Sequence, residues 1–181
     1  PPPLFQAEDG IRDDLEGLVG SEMCIRDRFQ ALNEISSMIG FAAHMRSQED
    51  DMKKLLICFA AGCLGALANS LTVWAFGEYG INKQLGVAMA PALTTAWLYP
   101  RIVWGGIWGF LFVLPFMNTR LITKGALISL FPTLLQLFVI FPLQAKKGYF
   151  GLELGIYTPV LVTFFNLVWG VVAALAIKFA K

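Results

Sequence analysis

The chain has 181 residues, 56% of them apolar and 15% charged, with a net charge of +1 and a mean hydropathy of +0.62. Soluble domains carry about 45–50% apolar and about 25% charged residues. The composition therefore excludes a disordered chain and points to an integral membrane protein. One His and three Cys argue against a zinc module or a disulfide framework.

The charge is split unevenly. Residues 1–51 hold 4 Lys/Arg against 11 Asp/Glu, a net of −7, whereas residues 52–181 hold 10 against 2, Glu78 and Glu153, a net of +8. Gln6–Asp13 reads QAEDGIRD and Leu18–Asp27 reads LVGSEMCIRD. The first resembles the direct translation of a sequencing-library flow-cell primer, and the second the transposase-type adapter that follows it, in one frame and with a gap that fits an index. The resemblance implies that residues 1–28 are adapter-derived, non-native and disordered, so Met23 and Cys24 carry no biology. Gln48-Glu49-Asp50 can be encoded with the ribosome-binding sequence AGGAGG just before the Met52 codon. Met52-Lys53-Lys54 then opens an apolar run, as many bacterial inner-membrane proteins begin. The expectation is a native start at Met52, with residues 29–51 untranslated upstream sequence or a short polar extension from Met38 or Met45. His44 falls in that stretch and is assigned no ligand role.

A spanning helix takes about 20 mostly apolar residues. In chain order the candidates are 55–76, 102–117, 125–143 and 152–177, with Glu153 suited to a helix N-terminus at the interface. Their continuous apolar runs are unlike the alternating strands of a barrel. Residues 85–99 are apolar but short, contain Pro91 and end at Pro100-Arg101, which suits a re-entrant or interfacial half-helix. The predicted fold is all-α: an integral membrane helical bundle of four transmembrane helices plus that half-helix. With the N-terminus inside, Lys53, Lys54, Arg120, Lys124, Lys178 and Lys181 face the cytoplasm, and Lys83, Arg101, Lys146 and Lys147 the other side. That six-to-four bias becomes five-to-five if 85–99 spans. Trp74, Trp97, Tyr99, Tyr149 and Tyr157 lie near run ends, as in an aromatic belt. A cleaved signal peptide ending at Ala66-Leu67-Ala68 is the rival reading of the first run, but apolar sequence continues through Phe76. Pro91-x-Leu93-x-Thr95-x-Trp97 echoes Pro159-x-Leu161-x-Thr163-x-Phe165, a weak internal repeat or a coincidence of common helix residues.

Small and polar residues three or four apart form one stripe on each span. The first stripe is Cys58, Gly62, Gly65, Asn69 and Thr72; the third is Gly125, Ser129, Pro132, Gln136 and Val139; the fourth is Pro159, Thr163, Asn166, Gly170 and Ala173. Gly105 and Gly109 share a face of the second. As packing seams, Gly62, Gly65, Gly105, Gly109 and Gly170 let the helices approach closely, and the amides bond across them. As a polar site, Asn69, Gln136 and Asn166 lie within about 5 Å of the midplane, counting about 1.5 Å per residue, with Thr95 and Thr163 adding hydroxyls. Arg101 either faces a water-filled vestibule that attracts anions or snorkels to the headgroups.

No catalytic, cofactor-binding or metal-binding cluster is legible, and the basic residues read as topology signals rather than a nucleic-acid surface. The absence of acids from the first run argues against exporters of the small multidrug type, which depend on a Glu there. The signatures of small fluoride channels are not found either. The runs Trp-Leu-Tyr-Pro-Arg (97–101) and Trp-Gly-Gly-Ile-Trp-Gly (104–109) resemble the signature of an uncharacterised small bacterial multi-pass membrane family. Two functions stay open. One is an accessory membrane subunit that packs through its stripes with itself or a partner. The other is a small oligomeric channel or facilitator for an ion or small polar solute. In both, the lipid bilayer is the first partner, and no cofactor is expected.

Overall fold

The computed structural model describes residues 9–117 and 119–180, with side chains from Arg28 onward. The chain divides into two units, Pro1–Asp50 and Asp51–Lys181. Helix α1, Asp9–Glu78, runs through both. No proline interrupts the sequence between Pro3 and Pro91, so nothing removes a backbone donor along α1. Of the stretch expected to be disordered, residues 1–8 lie outside the described residues and 9–28 fall within α1. In the first unit residues 28–50 are exposed throughout.

The second unit holds the remaining elements. After α1 the chain turns at Gly80 (φ 70°) into the single turn α2, Ile81–Gln84. Gly86, at φ 69°, ends it. Residues 87–94 are then non-helical, tied down by Val87 N–H to Asn82 O (2.8 Å), Ala88 N–H to Leu154 O (2.7 Å) and Asn82 Nδ2 to Met89 O (2.6 Å). The half-helix expected over 85–99 is thus not formed: a left-handed glycine and Pro91 break it, and Thr94 opens a new helix instead. Helix α3, Thr95–Gly109, is capped by Thr94 Oγ1, which accepts from Trp97 N–H at 3.3 Å. It starts seven residues before the predicted Ile102 because Pro100 is carried inside it. A 3-10 turn, Phe110–Val113, tightens its end, and the chain then bends through Met117 (φ 49°).

Residues Leu121–Gln144 form one interrupted helical segment. It comprises α4 (Leu121–Ile128), α5 (Leu130–Leu135) and a π-helix (Gln136–Gln144). Pro132 and Pro142 each lack an N–H, and the ladder loosens around them. Ser129 Oγ and Thr133 Oγ1 bond back to Ala126 O and Ser129 O, both at 2.7 Å. The next helix begins at Thr158, not Leu152. Tyr149–Leu154 is a 3-10 stretch with Phe150 and Gly151 at positive φ, so Glu153 sits before the helix rather than in its first turn. Helix α6, Thr158–Phe179, has Pro159 in its first turn, where the missing donor costs little.

Among the described residues three helical stretches are long and apolar enough to cross a membrane: Arg28–Glu78, Leu121–Gln144 and Thr158–Phe179. The core of the second unit gathers Cys58, Ala61 and Ala66 of α1, Phe112, Ile128, and Trp169, Ala173, Ala174 and Ile177 of α6. No strand occurs among the described residues.

Candidate functional site

The site is built on close helix contacts that only glycine permits. A Cβ on Gly62 would overlap the Gly105 carbonyl and lie 2.9 Å from Gly109 Cα. One on Gly170 would overlap the Gly125 carbonyl, and one on Gly65 would lie 2.9 Å from Trp169 Cδ1. Trp169 in turn donates from Nε1 to Gly62 O at 3.0 Å. These contacts hold α1 against α3 and α6, and α6 against α4.

Arg101, on the second turn of α3, reaches across to α1. Its Nε donates to Ser70 Oγ at 3.1 Å and its Nη2 to Asn69 Oδ1 at 2.8 Å. The guanidinium carbon lies 4.6 Å from the centre of the Trp97 ring, a cation–π contact. Asn69 Nδ2 donates to Phe165 O at 2.7 Å and, at 3.4 Å, to Asn166 Oδ1. Asn166 Nδ2 donates to Gln136 Oε1 at 3.4 Å. Asn69, Ser70 and Asn166 are buried. One hydrogen-bonded line therefore crosses the unit from α3 through α1 and α6 to the π-helix.

A cavity of about 460 Å³ lies along this line. Asn69 and Ser70 border it from α1, Arg101, Trp104 and Trp108 from α3, Gln136 and Gln144 from the π-helix, and Asn166 and Trp169 from α6. Small-molecule pockets span about 300–1,000 Å³, so the volume suits a small solute. Polar groups are also what hold water in a buried space.

The structure brings Asn69, Gln136 and Asn166 together and joins Arg101 to them. It does not bring Thr95 or Thr163. Both are exposed, and Thr163 Oγ1 bonds back to Pro159 O at 2.8 Å. Their side chains fall on the outer arc of their helices, a correction to the five-residue site. Arg101 turns toward α1 and borders the cavity. Ser70, Gln144 and the Trp104–Trp108 pair escaped the sequence reading. Gln144 lies eight residues after Gln136 and could have been found by extending the third stripe.

Lys124, which the topology count sets among the cytoplasm-facing charges, is buried. Its side chain is fully enclosed, with Nζ donating to Phe112 O (2.8 Å) and Leu114 O (2.6 Å) and lying 4.9 Å from the Phe116 ring centre. It caps the Phe112 carbonyl where the 3-10 turn ends and adds a second donor to the Leu114 oxygen, which also accepts from Phe116 N–H at 2.9 Å. Among the described residues no group of three or more His, Cys, Asp or Glu converges. No family model matches the chain, and no curated protein or solved structure matches it at a significant level.

Proposed function

We propose that the second unit is a four-span membrane protein whose interior cavity receives a small solute, as a channel or facilitator of a bacterial inner membrane. The fourth span is α3 with its 3-10 turn. Fifteen α residues and four 3-10 residues cover about 30 Å at about 1.5 and 2.0 Å per residue, the thickness of the hydrocarbon core. Taking the buried Lys124 and the inward-turned Arg101 out of the topology count leaves five Lys/Arg on the α1 N-terminal side against three. That favours a cytoplasmic N-terminus.

The observation that carries this reading is the continuous line of Arg101, Asn69, Asn166 and Gln136 bordering a cavity to which all four helices contribute. Ionisable and amide groups turned into a bundle interior are costly there and characteristically mark a solute path. An accessory packing role accounts for the glycine seams but leaves the cavity without one. The test places the full chain in liposomes and records protein-dependent release of glycerol, potassium and acetate. A variant with Asn69, Gln136 and Asn166 all changed to Leu serves as the comparison. Flux that disappears in the folded variant supports a solute path. Absence of flux for every probe would return the protein to the accessory-subunit class.

A further inference from the structure

The hydrogen-bond line has a direction, fixed at Asn69 by Arg101 on one side and the Phe165 carbonyl on the other. A guanidinium only donates, so Asn69 Oδ1 must face Arg101. The Asn69 amide nitrogen then faces Phe165 O, which only accepts. Asn166 Oδ1 accepts next, and Gln136 Oε1 after it. Each amide oxygen in the line is engaged by its neighbour's N–H. Gln136 Nε2 closes the line with no hydrogen-bond partner among the described residues. At the other end the guanidinium has five N–H groups and places two of them, on Ser70 and Asn69. The unspent capacity at both ends is therefore donor capacity.

The charge agrees. After Met52 the chain has two acids, Glu78 and Glu153. Both are exposed and neither borders the cavity. Arg101 thus brings a positive charge to the cavity with no carboxylate beside it. Aligned amides in a low-dielectric interior reinforce one another, and here they align so that N–H groups lead away from Arg101 to Gln136. A cation or a pure donor would meet like charge and N–H groups.

We propose that the cavity binds a small carboxylate or planar oxoanion, with Arg101 as the charged contact and Gln136 Nε2 as the neutral donor. The guanidinium's planar fork matches paired oxygens better than a spherical ion. The assignment rests on reading the cavity as a solute site. The same acceptor chemistry could be offered by a phospholipid phosphate, so the test separates the two sources.

The full chain in detergent is titrated with sodium acetate replacing chloride at constant ionic strength, and tryptophan fluorescence is followed. Trp97 lies against the guanidinium and Trp104, Trp108 and Trp169 line the cavity, so occupancy reaches the signal. A saturable acetate response is expected. It should weaken at least about tenfold in Arg101→Gln, the scale of a lost charge-assisted contact, and by a few-fold in Gln136→Leu. Gln136 is held by a single 3.4 Å bond, so that variant keeps the fold and carries the test if Arg101→Gln does not. A response to added phosphatidylglycerol but not to acetate would overturn the free anion in favour of a lipid phosphate. No acetate response from a chain that still passes glycerol or potassium would overturn the anion site and leave the facilitator standing. An acetate response without flux would uphold the site and overturn the facilitator.

Discussion

Replacing Lys124 with Met tests whether the second unit depends on a charge buried away from its cavity. Methionine nearly matches the length of the lysine stem, so the enclosed space stays filled while the donors vanish. The carbonyls of Phe112 and Leu114, at 2.8 and 2.6 Å from Nζ, lose that partner. Hydrogen bonds to a charged group contribute roughly 1.5–3 kcal/mol each, about 3–6 kcal/mol for the pair. Those contributions are already net of desolvation, so the expected loss is about 3–6 kcal/mol, read as a lower midpoint in reversible unfolding in mixed detergent–SDS micelles. Lys124→Arg keeps the charge but must fit a wider planar head into an enclosed site, so it should fall between the two. A Lys124→Met chain within about 0.5 kcal/mol of the native one, the scatter of an inert substitution, would refute the cap.

Four further outcomes are expected. Asn69→Leu removes three bonds, two of them short, and should cost about 2–3 kcal/mol, while Gln136→Leu removes one long bond and should cost under about 1 kcal/mol; the reverse order in the same unfolding assay would break the relay. Gly170→Val drives a side chain into the Gly125 carbonyl and should cost at least about 1–3 kcal/mol, whereas Gly40→Val, with nothing within 4 Å, should leave the midpoint unchanged. Gly155→Ala meets both a φ of 143° and the Gly86 carbonyl, and should make residues 145–157 more sensitive to limited proteolysis. Thr163→Val, on an exposed face, should preserve both stability and flux, and a loss of flux would put Thr163 back in the pathway.

The stripes were legible because close approach demands glycine and a buried amide demands a partner. Gly62, Gly105, Gly109, Asn69, Gln136 and Asn166 announce themselves by spacing alone. What lay hidden depends on partners far away in sequence. Helical spacing places Thr163 on a stripe, but only the neighbouring helices decide which side of the stripe is covered. Pro100 reads as a stop, yet α3 carries it because Thr94 has already capped the helix and Gly105 and Gly109 anchor it on α1. Lys124 looks like any loop lysine until the carbonyls at the end of the 3-10 turn are placed beside it. The segment 85–99 is apolar enough for a half-helix, and it is a positive-φ glycine, Gly86, that decides otherwise.

The glycine contact between α1 and α3 acts as a ruler. Arg101 lies eight residues before Gly109, about 12 Å along the helix. The seating of Gly109 and Gly105 on Gly62 therefore determines where the guanidinium arrives. A slip by one turn, about 5.4 Å, would carry it past the oxygens of Ser70 and Asn69. Alignment and recognition are thus held by different residues on the same helix. Selection for a new cargo could rewrite positions 101, 69 and 136 while leaving the ruler intact, so one bundle could change what it admits without learning again how to assemble.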